Sequence, residues 1–278
     1  PSMQFMRVQS FARRQLEVPD PTLPHVRYRF PVHNARMRKR AARLAGKEPG
    51  TIRWLDEQVR RSDVVWDVGA NIGVYSLFAA ARAPAGRVIA FEPHGPTFHA
   101  LLEVIALNGL ADRILPTAVA LDARDGFDRF IYADLDSAST GSQLAASPAS
   151  GPLLASPRAG VTELKYTASA DALVAAGVLP APDLVKIDVD GNETRIVTGM
   201  RELLTGPRRP RSLQIESDPD QQEALESLLT GWGYEERARH LSSNLQTWVD
   251  GGGDAGVCAI NVIWAPVRED GNGSAAAV

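Results

Sequence analysis

Apolar runs and helix-period segments alternate along this chain from residue 64 onward. Val64 to Val68 is a short apolar run with one carboxylate near its end, and Val74 to Ala81 has helix-forming composition. Arg87 to Pro93 reads as the next strand, ending in Glu92. Thr97 to Asn108 follows as a helix, with Phe98, Leu101, Leu102 and Ile105 at the spacing of one buried face and Asn108-Gly109 as its stop. Ile114 to Leu121 predicts a third strand, Leu184 to Gly191 a fourth with alternating apolar and charged positions, and Ser212 to Ser217 a fifth. Val257 to Trp264 predicts a late core strand that takes in Cys258. Strands and helices in this alternation predict an α/β fold with a mainly parallel sheet and right-handed crossovers.

Three segments break the pattern. Residues 1–46 form a basic extension, with no acidic residue from Arg27 to Lys47 and with Arg36, Arg38, Lys39, Arg40 and Arg43 close together. They read either as a solvated basic helix or as an arm covering a substrate cleft. Residues 134–162 are rich in Ser, Ala, Gly and Pro, and are expected to be a flexible insertion or a mobile lid. Residues 269–278 read as a disordered tail. The domain expected between these limits is 47–268.

The candidate chemistry begins at Asp67-Val68-Gly69-Ala70-Asn71-Ile72-Gly73, where a strand passes through a glycine turn into a helix. A dinucleotide loop wants G-x-G-x-x-G with a pyrophosphate on the helix N-terminus. Here the spacing is Gly69-x-x-x-Gly73 and the loop is preceded by a carboxylate, which repels a pyrophosphate and favours an ammonium group. S-adenosylmethionine offers that ammonium and no phosphate. Glu92 falls roughly 20 residues beyond the loop, where an acidic residue accepts hydrogen bonds from ribose hydroxyls.

The strings WDVGANIGVYS, VIAFEP and VKIDVDGNE, together with KEPGTIRWLDE at Lys47 to Glu57, resemble the FkbM family of S-adenosylmethionine-dependent methyltransferases. The resemblance implies a class I, Rossmann-like fold: a mainly parallel, seven-stranded sheet with helices on both faces. It also implies O-methylation of a small molecule, such as a natural product, or of a sugar. The cofactor-binding set becomes Asp67, Gly69, Ala70, Asn71, Gly73, Glu92, Pro93, Asp122 and Asp188. Asp122 enters as a partner for the adenine amino group, although Asp122 to Gly126 also reads as a solvated turn.

Lys186, Asp188 and Asp190 fall on one side of the fourth strand, the last two nearest the carboxyl edge, where open α/β sheets bind ligands. Charges on a central strand are costly to bury. A structural salt bridge from Lys186 to an aspartate is one account. The other makes Asp188, Lys186 and Glu193 the catalytic set, with Asp188 orienting the acceptor hydroxyl or taking its proton. Glu193 also suits a helix N-terminus on electrostatic grounds alone. Asp188, Asp190, Asn192 and Glu216 offer hard oxygen ligands, but Lys186 competes with a cation, so no metal is expected. His94 and His240 are further base candidates.

Composition narrows the alternatives. The 278 residues are 44% hydrophobic, enough for a full core, and the net charge is -3. With a pI near 6.0 and no Asn-Pro-Pro-aromatic motif after the fourth strand, an RNA or other nucleic-acid methyltransferase is the disfavoured alternative. An NAD-linked oxidoreductase is disfavoured by the loop spacing. One cysteine excludes an internal disulfide framework and suggests a cytoplasmic enzyme. No apolar run predicts a membrane span or signal core, and a homodimer is left open.

Overall fold

The structure is a computed structural model that describes residues 14–44, 46–145 and 160–267. The first described elements are an antiparallel hairpin, β1 (Gln15–Pro19) and β2 (Arg27–Pro31), then α1 (Ala35–Ala42) and α2 (Pro49–Gln58). The alternating part follows: β3 (Val64–Val68), α3 (Val74–Arg82), β4 (Arg87–Phe91), α4 (Gly95–Leu107) and β5 (Ile114–Thr117). Next come β6 (Ala120–Leu121), β7 (Gly126–Ile131), β8 (Gln143–Leu144), β9 (Thr162–Ala168) and α5 (Ala170–Ala175). The chain continues through β10 (Leu184–Ile187), α6 (Glu193–Thr198), α7 (Arg201–Thr205) and β11 (Ser212–Ser217). It ends in α8 (Pro219–Gly231), β12 (Tyr234–His240), α9 (Ser243–Asp250) and β13 (Ile260–Pro266).

Among the described residues the main sheet has seven strands in the order β12-β13-β11-β10-β3-β4-β5. β3, β4, β5, β10 and β11 are parallel, and β13 is antiparallel to both β11 and β12. This is the arrangement of a class I methyltransferase sheet. The two core clusters follow from the two-residue period of the strands. Val65, Val88, Ala90 and Leu184 pack with α1 to α4, while Trp66, Val68, Ile89, Phe91, Val185 and Ile187 pack with α5 to α8. Helices therefore cover both faces.

Several boundaries move from expectation. The run Ile114 to Leu121 is two strands, because Ala120 and Leu121 leave the main sheet to pair with Thr167 and Ala168. β5 keeps Pro116, which an edge strand tolerates. β10 ends at Ile187, so Asp188 and Asp190 lie in the loop beyond it. Leu102 is exposed, and the buried face of α4 is Ala100, Leu101, Val104 and Ile105. Cys258 is buried just before β13, at the end of a single 3-10 turn.

Residues 14–44 do not lie off the body as a solvated arm. Tyr28, Phe30, Met37, Ala41 and Leu44 are buried in the same core as α3 and α4. In the described part of the insertion, which runs to Ala145, β8 pairs with β7. Its remainder at 146–159, and the 269–278 tail, lie outside the described residues. Among the described residues no helix is long and apolar enough to cross a membrane.

Candidate active site

A cavity of about 390 Å³ opens at the carboxyl edge of the parallel strands, within the size range of small-molecule sites. It lies where β3, β4 and β10 hand over to their loops. The loop after β3 is shaped by two backbone contacts, from the N–H groups of Gly69 and Ala70 to the carbonyl of Phe91 at 3.0 and 2.9 Å. Gly69 has φ +80°, and a Cβ on it would lie 1.9 Å from the carbonyl oxygen of Asp188. Only glycine allows the ends of β3 and β10 to approach this closely.

Asn71 also has a left-handed backbone, φ 52°. Its N–H donates to Oε2 of Glu92 at 2.8 Å, and the N–H of His94 donates to Oε1 at 2.8 Å. Each carboxylate oxygen of Glu92 keeps a further lone pair toward the cavity that it lines. Burial pushes the Glu92 carboxyl up to about 7, although the two backbone donors oppose the rise. An apolar wall of Val68, Phe91, Leu121, Phe130, Leu144 and Ile196 completes this part of the cavity.

The acidic end is organised around Asp188. The Lys186 ammonium donates to Oδ2 of Asp188 at 2.7 Å and lies 4.7 Å from the centroid of the Tyr75 ring. Burial alone would raise the Asp188 carboxyl. The positive charge of Lys186, a hydrogen bond from Glu216 and the charge of Lys47 outweigh it and hold Asp188 well below the usual carboxylate range. Glu216 is pushed up to about 10, first by the negative charge of Asp188 and then by burial. The two carboxyls thus shift in opposite directions, Asp188 toward its ionised form and Glu216 toward its protonated form.

The structure divides the residues that the sequence singled out. Gly69, Asn71, Glu92, Pro93 and Asp188 line the cavity. Asp67 does not. Its carboxylate is 2% exposed: Oδ2 accepts from Ser76 Oγ at 2.6 Å, Oδ1 has no hydrogen-bond partner among the described residues, and burial raises the carboxyl against the pull of the Lys186 charge. Ala70 is buried beneath the loop, and Gly73 caps α3 with its Cα facing Leu101. Asp122 does not line the cavity and forms a two-toothed ion pair with Arg195, whose Nε donates to Oδ1 at 2.7 Å. Lys186, 1% exposed, does not line the cavity, and its ammonium holds the Asp188 carboxylate. Glu193 is 2% exposed and accepts from Gln221 Nε2 at 3.1 Å, which removes it from the reacting centre.

Both histidines are occupied elsewhere. His94 lines the cavity, but its ring bonds to Thr97 Oγ1 and to the Asp134 carbonyl as the cap of α4. His240 packs over Gly50 beside Thr51. Two basic residues from the N-terminal region, Arg40 and Lys47, also line the cavity, as do Ser139, Thr140, Ser142 and Gln143. The basic run and the Ser-rich composition marked these segments without separating inward-facing residues from exposed ones. Among the described residues, no cluster of three or more His, Cys, Asp or Glu could hold a metal ion.

A methyltransferase FkbM domain matches residues 67–236, more than half of the chain. The chain belongs to this family. The hexuronic acid methyltransferase AglP of Haloferax volcanii is 35% identical over 176 residues, covering 63% of this chain and 65% of AglP. The 31-O-demethyl-FK506 methyltransferase FkbM of Streptomyces tacrolimicus is 42% identical over 66 residues, 24% of this chain and 25% of that protein. The chain thus spans less than two thirds of the length of these curated relatives.

Proposed function

We propose that this family member is an S-adenosylmethionine-dependent O-methyltransferase whose acceptor is a hydroxyl on a small molecule or a sugar. The observation that carries this reading is the pairing, in one cavity, of a Glu92 carboxylate with free lone pairs and an Asp188 carboxylate held ionised by Lys186. The cavity fits the cofactor by the chemistry of its donor set. Glu92 is suited to the two ribose hydroxyls, the apolar wall to the adenine, and the acidic end to a cationic sulfonium. When bound, the cofactor supplies an activated methyl group.

Asp188 accepts a hydrogen bond from the acceptor hydroxyl and orients it; so weak a base takes the proton only after the forming C–O bond has made that oxygen strongly acidic. Lys186 fixes the carboxylate, and Glu216 donates to it, so the rotation that an exposed aspartate would enjoy is removed. The apolar wall and the 139–144 segment exclude water from the reacting atoms. Both relatives carry small-molecule or sugar acceptors in their names, which supports the acceptor class.

Calorimetry with S-adenosylhomocysteine tests the donor site. Wild-type protein binds, and Glu92→Ala weakens binding by about a hundredfold through the loss of two charge-assisted hydrogen bonds. Equal affinities in the two proteins would refute the assignment of Glu92. No binding in wild type would refute methyl transfer.

A further inference from the structure

Helix α1 carries Arg36, Arg40 and Arg43 at the i, i+4, i+7 spacing of a single face. The outer two are tied down. Arg36 pairs with Asp134 on the insertion, and Arg43 donates to Asn244 in α9. The middle one, Arg40, is half-buried on the cavity wall and has no ion pair or hydrogen bond among the described residues. Lys47, the other cation on the wall, is already committed to Glu48 and lies near Asp188.

We propose that Arg40 receives a carboxylate carried by the methyl acceptor, so that the enzyme acts on acidic small molecules or acidic sugars. This rests on the methyl-transfer reading above. A guanidinium is a planar fork that matches a carboxylate with two parallel hydrogen bonds. Leaving it half-buried without a partner is costly, and a ligand anion removes that cost. Two further observations choose the acceptor as the source of the anion. Arg40 lies outside residues 67–236, the segment matched by the family, whereas Gly69, Asn71, Glu92 and Asp188 lie within it. It also lies between two arginines whose contacts with Asp134 and Asn244 hold its helix in place. A phosphate dianion suits the site poorly. Glu92, Asp188 and Asp190 line the same cavity and repel a dianion more than a single carboxylate, and Arg40 acts on Glu92 and Asp190 from a distance without an ion pair to either among the described residues.

The test uses two probes that differ in one group, p-nitrophenyl β-D-glucuronide and p-nitrophenyl β-D-glucoside. Their affinities are measured by ligand-observed NMR on the full chain, with and without S-adenosylhomocysteine. Wild type prefers the glucuronide by about tenfold, the effect of one charge-assisted contact. Arg40→Gln abolishes the preference, Arg40→Lys restores part of it, and Arg38→Gln, the same charge change on an exposed residue of α1, leaves it intact. Equal binding of the two probes to wild type, or an unchanged preference in Arg40→Gln, overturns the proposal. So does a loss of S-adenosylhomocysteine affinity in Arg40→Gln that is absent for methylthioadenosine, since Arg40 would then hold the cofactor's own carboxylate. Failure of the wild type to bind S-adenosylhomocysteine refutes methyl transfer separately, while the probe preference is still read on the free protein.

Discussion

The ammonium of Lys186 is sealed between the Asp188 carboxylate, 2.7 Å away, and the ring of Tyr75, and it is register neighbour to Asp67 on β3. One cation thus neutralises two buried acids. Removing it leaves them uncompensated, at a cost of about 3 to 5 kcal/mol. Lys186→Met is expected to lose about that much stability at pH 8 in urea unfolding, and to regain part of it at pH 5. The sign follows from the carboxylates. Without Lys186 the Asp188 value rises, and that of Asp67, already raised by burial, rises further, so stability is lost as pH rises. Equal losses at both pH values would contradict this account.

Glu216 gives an independent handle on the same cluster. Its carboxyl is raised to about 10, so the folded protein holds a proton that the unfolded chain releases near its ordinary value of 4.5. Stability from this group is therefore present at low pH and lost as pH rises from about 4.5 toward 10. Glu216→Gln preserves a hydrogen-bond donor to Asp188 while removing the titration. The variant should match wild type near pH 5 and exceed it in unfolding midpoint at pH 9. A parallel decline in both proteins would show that the proton is held elsewhere.

Donor binding carries its own pH signature. With the Glu92 carboxyl at about 7 in the free site, the group must release its proton before both oxygens can accept ribose hydroxyls. S-adenosylhomocysteine affinity should tighten as pH rises from 6 to 8, with proton release visible as a dependence on buffer ionisation heat. In Glu92→Gln the pH dependence should vanish along with much of the affinity. Calorimetry in two buffers decides the matter.

The ion pair of Asp122 with Arg195 joins the end of β6 to α6. Arg195→Ala should cost about 3 kcal/mol of stability by stranding a buried carboxylate. Donor affinity should change by less than about twofold, a difference well below 1 kcal/mol. A selective loss of S-adenosylhomocysteine binding with unchanged stability would return Asp122 to the adenine site.

Much of the fold was legible because hydrophobic period and glycine position are local properties. Val64 to Gly73 and the strand ending at Glu92 appear where the pattern puts them. Residues whose roles depend on side-chain direction were not legible. Asp67, Asp122 and Glu193 sit within a few residues of the cavity, yet each turns to a protein partner, Ser76, Arg195 and Gln221 respectively, whereas the Lys186–Asp188 bridge, two residues apart, is one of the two accounts that the strand pattern offers. Sequence order cannot reveal which partner the fold supplies from 73 or 28 positions away. Arg40 shows the converse: a run of basic residues conceals the one that points inward, because only the burial of Met37 and Ala41 fixes the rotation of α1.

Asn71 bears on how such an enzyme diversifies. Its backbone N–H holds Glu92, and its side chain donates to the carbonyl of Ser139 at 3.0 Å, while Gly141 is bonded to Asp190 and Asn34 to Ser137. The segment over the cavity is thus pinned at a few points to a platform built from the sheet edge. On the proposed reading, substitutions between the pins would reshape the acceptor side while the Asn71 backbone keeps Glu92 in place for the donor.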